Sequence, residues 1–337
     1  MKNIAITVIV PVYGVERYIE RCSRSLFGQT LTDGVEFIFV NDCTKDRSIE
    51  LLSACIECYP QLRSQIRIIN HLRNRGLAVA RQTGLEAAQG EYILHLDSDD
   101  YFEPDMLEVM YQAALAKNAD VVVSDFFWSL KKGDFYQECP LYGSQESMFK
   151  SIIVPWRYGN KSVNPSLCNK LIKRSIYKEY NITSVEGINS GEDFIVTIQI
   201  LHHAAVITKV DHAFVHYNKQ NQGSYTHDKS SINMRQRIMA TEIVANFLSK
   251  KGIACDEELD ERRFYEKLLA IANCDIDSLQ EFITMYPWLD YEKHKHLVAP
   301  YWRLPIKFAF QGKIGMFVFL RNLIFPIRKV YRLINAN

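Results

Sequence analysis

The chain has 337 residues, 47% of them hydrophobic, enough for one large core or a catalytic domain with an appendage. A formal net charge of +1 excludes the overall electrostatic pull of a nucleic-acid-binding protein, so no nucleic acid is expected as partner. Eight cysteines do not make a disulfide scaffold at this length, and the one CxxC, Cys55 with Cys58, has no second pair for a zinc site.

From the start, Met1-Lys2-Asn3 runs directly into an apolar segment, which does not resemble a signal peptide. No apolar run approaches the roughly 18 residues of a spanning helix, so the expectation is a cytoplasmic protein, soluble or peripheral on the inner face of a membrane. Residues 4–10 form a run rich in β-branched side chains, which suits a strand buried on both faces. Residues 16–27 have helical spacing, with Tyr18, Ile19, Cys22, Leu26 and Phe27 apolar. Strands follow at 35–40, 66–69, 92–96 and 121–124, and helices at 46–56, 77–88 and 104–116, the last with Pro104 in a favourable first-turn position. This alternation predicts an α/β, mostly parallel, doubly wound sheet. Residues 144–225 are less regular and read as an extension that covers the sheet edge and completes a cleft. Residues 231–289 read as helical, and a basic, aromatic tail follows.

Sheets of this kind bind ligands beyond the carboxyl ends of their strands. Four polar clusters fall there: Pro11-Val12-Tyr13, Asn41-Asp42, the segment 71–76, and Asp97-Ser98-Asp99-Asp100. Residues two apart at a strand end point the same way, so Asp97 and Asp99 face one pocket. Paired carboxylates repel unless a proton or cation lies between them, and a hard divalent cation suits such ligands and bridges to phosphate oxygens. The competing reading is an acidic turn at the start of the helix near Pro104. Asp42 either accepts a hydrogen bond from a uracil-type N–H or caps the helix near Asp46, and composition favours the cap.

Taken in order, Pro11-Val12-Tyr13, Glu16-Arg17-Tyr18, Gln29-Thr30, residues 36–42, Asn74-Arg75-Gly76, Ala80-Arg81, Gly90-Glu91-Tyr92-Ile93 and Asp97-Ser98-Asp99-Asp100 resemble glycosyltransferase family 2. The resemblance implies the Rossmann-like GT-A fold, an inverting mechanism, a nucleotide-sugar donor, usually UDP-linked, and Mn2+ or Mg2+ on Asp99. It places Pro11, Val12, Tyr13 and Glu16 around the nucleoside, Asp42 on the base, and Asp97 and Ser98 on the ribose or base side. Asn74 and Arg81 fall in the motifs of the donor half. Three departures are visible: Gly14 stands for the common Asn, Cys43 and Lys45 interrupt the usual run after Asp42, and Gln82 follows Arg81 in place of Asn.

Inverting transfer needs a base for the acceptor hydroxyl proton. Gly191-Glu192-Asp193-Phe194 resembles the family's acidic pair, which assigns the base to Asp193 with Glu192 second; both are equally first-turn acids of a helix. Lys170 resembles a family lysine that contacts acceptor or phosphate, with a solvated charge as the alternative. His216 is either a further metal ligand or a buried structural histidine. Trp156 and Tyr158 are a sugar-stacking platform or core. The expected divisions are 1–125, nucleotide-sugar binding; 126–230, acceptor binding; and 231–337, a helical extension. The acceptor implied is a glycan or lipid-linked glycan.

From Lys293 onward there is no Asp or Glu, while Arg303, Lys307, Lys313, Arg321, Arg328, Lys329 and Arg332 alternate with Trp302, Phe308, Phe310, Phe317, Phe319 and Phe325. Such segments bind anionic membrane surfaces, or pack as a terminal helix. Among rival functions, a dehydrogenase is disfavoured because no GxGxxG follows the first strand. A metal-dependent nucleotidyltransferase and a non-catalytic glycan- or nucleotide-binding relative remain.

Overall fold

The computed structural model describes residues 4–334, with side chains as far as Ile324 save that of Asn160. Nine strands form one sheet: β1 (Ile6–Val12), β2 (Val35–Asn41), β3 (Ile66–Asn70), β4 (Tyr92–His95), β5 (Tyr101–Phe102), β6 (Val121–Leu130), β7 (Gly133–Gln137), β8 (Lys170–Lys173) and β9 (Ile207–Asn218). The order is β3-β2-β1-β4-β8-β6-β9-β5, with β7 paired to β6. Strands β1 to β4 are parallel, and every residue of β1 is buried, as its β-branched run suits. Helices Ile19–Phe27, Ser48–Glu57 and Leu77–Ala87 connect them, and Met106–Lys117 leads to β6.

The expected α/β sheet, flanked by helices and followed by a helical C-terminal region, is present. The middle of the chain departs from the reading of it as an edge cover. It supplies β8, which enters the sheet antiparallel between β4 and β6, and β9, which runs parallel to β6. A four-residue strand carrying two lysines, Lys170-Leu171-Ile172-Lys173, has too short a pattern to be recognised. The division expected at residue 125 falls inside β6, so the sheet continues through it. The division at 231 coincides with a helix start, Ser231–Lys250, capped by the Ser230 hydroxyl accepting from the Asn233 N–H.

Two apolar clusters are built around the sheet and its helices, one of them extending onto the C-terminal helices through Ala240, Val244, Leu248 and Leu259, and a third is built from the C-terminal helices. Among the described residues no helix is long and apolar enough to cross a membrane. All eight cysteines are free, and Cys58 spends its thiol on the Ala54 carbonyl of its own helix.

Candidate active site

The strand ends converge on a cleft of about 650 Å³. Pro11, Val12 and Tyr13 reach it from β1, Asp42 from the end of β2, Asn74 from the loop after β3, and Asp97, Ser98 and Asp99 from the turn after β4. Glu192 and Asp193 face it from the start of the helix Glu192–His203. Residues far apart in sequence meet here because parallel strands all end on one side of the sheet.

Two glycines make the close approach of these loops possible. Gly76 has φ +88°, and a Cβ there would lie 2.4 Å from the Asn189 side chain, whose Oδ1 accepts the Ala78 N–H at 3.1 Å. Gly191 has φ +94°, and its Cβ would come within 2.8 Å of the Ala240 Cβ. The second glycine lets the helix carrying the acidic pair begin against the first C-terminal helix.

Arg81 is the centre of the electrostatics. Its side chain is 1% exposed, and its guanidinium meets three carboxylates. One terminal nitrogen donates to Asp97 Oδ1 at 2.5 Å; the other donates to Glu192 Oε1 at 2.9 Å and to Asp193 Oδ1. A planar cation with five donors on a rigid fork suits such a junction, whereas a lysine ammonium does not. Arg81 thus links the acid after β4 to the acidic pair; it does not itself line the cleft.

The charge balance is negative. Burial and then the Asp97 charge push Asp99 up to about 6. Asp100 is driven upward by burial and by Asp99 and Asp97; its Oδ1 accepts the Asn218 N–H at 2.7 Å, and its buried Oδ2 has no hydrogen-bond partner. Burial and the Asp193 charge raise Glu192. Burial also raises Asp193, and Arg81 opposes that shift. Oxygen and sulfur donors of Asp97, Asp100 and Cys168 lie within 4.8 Å of one another. A surplus of closely spaced carboxylates, one oxygen of them orphaned, fits a divalent cation.

Other residues singled out from the sequence have a structural task, outside the cleft or at its edge. Glu16 is exposed and outside the cleft lining; its carboxylate accepts the Arg47 N–H at 3.1 Å, tying the loop after β1 to the loop after β2. Lys170 is fully buried, and its ammonium donates to the carbonyls of Asn164 and Ser166 and to Asn169 Oδ1, at 2.7 to 2.9 Å. It holds up the loop whose Asn164, Pro165 and Ser166 line the cleft. His216 is sandwiched between Tyr101 and Phe127, with Nε2 2.6 Å from Glu103 and Nδ1 2.9 Å from Asp134. It sits on β9 and is not among the residues that line the cleft. Asp42 lines the cleft but also accepts the N–H groups of Arg75 and Gly76, each at 2.8 Å, and pairs with His71 at 2.7 Å. It therefore shapes the 71–76 loop, and it does not cap the helix; Asp46 bonds Ser48 there. Trp156 bonds Glu261 and packs on Tyr265, outside the cleft lining.

The segment from His216-Tyr217 to Ser224 resembles the family's closing segment near the diphosphate; its Tyr217, Lys219 and Asn221 form one wall of the cleft with Trp128, a role the sequence did not assign to any of the four. Asn221 Nδ2 donates to Asp99 Oδ2 at 2.8 Å. The Lys219 ammonium lies 4.3 Å from the Trp128 ring centroid and 4.6 Å from that of Tyr217, and burial lowers its pKa. Lys219 follows directly on Asn218, the last residue of β9.

Known proteins resemble this chain in sequence or in fold. A cholesterol galactosyltransferase of Borreliella burgdorferi is 28% identical over 320 residues, covering 84% of this chain and 86% of that protein. S. aureus TarS 1–349 in complex with UDP-GlcNAc matches with a TM-score of 0.63 at 19% identity, over 94% of this chain and 90% of that one. Mannosyltransferase PcManGT from Pyrobaculum calidifontis, in complex with GDP-Man and Mn2+, matches at TM-score 0.56 and 13% identity, over 94% and 85% of the two chains. Likeness at these identities to the two solved structures speaks for the fold alone. The profile of glycosyl transferase family 2 matches residues 7–180, just over half of the sequence, and with the ordered strand-end residues and the fold this places the chain in that family, as a glycosyltransferase.

Proposed function

We propose that this glycosyltransferase moves a sugar from a nucleotide-diphosphate donor, UDP-linked, onto a glycan or lipid-linked glycan acceptor in surface polysaccharide synthesis, with inversion at the anomeric carbon. The observation that carries the reading is the single buried guanidinium that joins Asp97, beside Asp99, to Asp193 at the mouth of the other helix. Donor and base residues are thereby held in one rigid frame, which in-line displacement needs. Support for the donor class comes from the UDP-GlcNAc in TarS and the GDP-Man with Mn2+ in PcManGT. Support for a lipid acceptor comes from the name of the Borreliella relative.

In this reading Pro11, Val12, Tyr13 and Asp42 flank the nucleoside, Asp97 and Ser98 the ribose, and Asn74 closes that end. Asp99 and its neighbours would hold Mn2+ or Mg2+, which supplies charge neutralisation at the diphosphate leaving group. Lys219, with no carboxylate partner among the described residues, is the side chain for the phosphate oxygens. Asp193 accepts the proton of the attacking hydroxyl. Its side chain is 22% exposed, against 7% for Glu192, so it is the member of the pair that an acceptor reaches.

The test is a donor panel with nucleotide release as readout, on the wild type and on Asp99→Ala, with and without EDTA. UDP release that EDTA abolishes, together with metal-dependent UDP binding lost in Asp99→Ala, is the expected result. Full activity in EDTA removes the metal from the scheme. Release of pyrophosphate instead of UDP favours a nucleotidyltransferase, and no release with any acceptor favours a binding protein.

A further inference from the structure

In the helix Ile314–Ile334, the described side chains, up to Ile324, are apolar on two sides. Its inner side is spent on the protein: Phe317 is fully buried, Arg321 is buried and donates to the Cys274 carbonyl at 3.1 Å, and Ile314 and Ile324 pack on the C-terminal core. Its outer side carries Met316, Phe319 and Leu323, exposed by 49%, 64% and 52%. Spacings of three and four residues put these on one stripe. The preceding segment adds Tyr301 and Leu304, each 55% exposed. Water-facing helices normally turn a polar stripe outward, and here Asn322 is the polar side chain between Phe319 and Leu323.

Charge indicates what covers this side. Residues 293–337 contain no Asp or Glu. Within them Lys307 is paired to Glu292, as is Lys295 ahead of the tail, and Arg321 is used inside, which removes two of the seven tail cations named from the sequence. Lys313, at the start of the outer stripe, is exposed and has no carboxylate partner among the described residues, and Arg303 is exposed on the preceding helix. Phe325, Arg328, Lys329 and Arg332 lie outside the described side chains, but the sequence continues the same basic and apolar mixture. A second copy of this chain would set cation against cation; an acidic surface with an apolar layer beneath would match both features.

We infer that Met316, Phe319 and Leu323 enter the headgroup boundary of an anionic lipid bilayer, with Lys313 and Arg303 against the lipid phosphates. The helix lies in the plane of the membrane, docked through its inner side to the catalytic body. This concerns where the enzyme works and stands independently of the assignments in the cleft.

Truncation before residue 300 is a poor test, because Trp302, Ile306, Ala309 and Phe317 are core residues of the C-terminal cluster. Surface variants avoid that: Phe319→Ser with Leu323→Ser, and separately Lys313→Glu, in the full chain. The assay is co-sedimentation with vesicles of phosphatidylcholine alone or with phosphatidylglycerol, at low and high salt, without substrate. The intact chain should sediment with the anionic vesicles and be released by salt. The double variant should bind roughly tenfold or more weakly, and Lys313→Glu a few fold more weakly, with unchanged melting temperature and unchanged nucleotide release in solution. The inference is overturned if the intact chain stays in the supernatant, if neutral vesicles bind it equally, or if the double variant sediments like the wild type. A dimer in light scattering that the double variant dissociates would show that a second copy covers this side, and would overturn it as well.

Discussion

Replacing Arg81 by methionine keeps much of the side-chain volume and removes the charge at the junction of Asp97, Glu192 and Asp193. All three carboxylates touch a guanidinium that is 1% exposed, so its loss leaves them uncompensated in a buried site. Breaking a buried ion pair from one side costs about 3–5 kcal/mol, which lowers the melting temperature by on the order of 10 °C. The pH dependence has a definite sign. Burial already raises Glu192 and Asp193, and Arg81 opposes the rise in both. A carboxylate with a raised folded pKa contributes stability that is present below its unfolded value, near 4, and is lost as pH rises through the folded value. Without Arg81 the folded values rise further. The stability deficit of Arg81→Met should therefore be smallest near pH 4–5 and grow towards neutral pH and above. The acidic limb of kcat/KM should move to higher pH, because Asp193 must be ionised to accept a proton. Differential scanning fluorimetry across pH, with a pH–rate profile by nucleotide release, measures both. A deficit independent of pH, or an unmoved acidic limb in a folded variant, refutes the role given to Arg81.

Asp193→Asn preserves size and removes basicity; turnover should fall about 10²-fold or more with donor affinity near wild type, and a rate close to wild type would move the base elsewhere. Lys219→Met should raise the donor KM roughly tenfold to a hundredfold, the range of a lost charge-assisted contact, and leave the KM for acceptor unchanged. An unchanged donor KM would mean that the ammonium serves only to pack on Trp128 and Tyr217.

The amino-acid sequence by itself determined the donor half of the fold. Runs rich in β-branched and aromatic side chains at β1 and β2, helical spacing between them, and acids placed directly after strand ends are local patterns, and their meaning depends only on period and position. Asp97 and Asp99 are legible for that reason; for Asp42 local composition points to a helix cap instead, and only the family resemblance marks Asp42 and the acidic pair as site residues. The tertiary structure decided what these side chains do with one another. Arg81 is one residue of an amphipathic helix until packing buries it against acids 16, 111 and 112 positions away. Lys170 reads as a free cation until β8 enters the sheet and turns its ammonium onto three oxygens of its own loop. Asn221 and Lys219 lie in a segment marked only by its family resemblance, and they reach the cleft because β9 aligns beside β6. Side-chain period is encoded locally, whereas desolvation and charge pairing arise only when segments distant in sequence exclude water from one another.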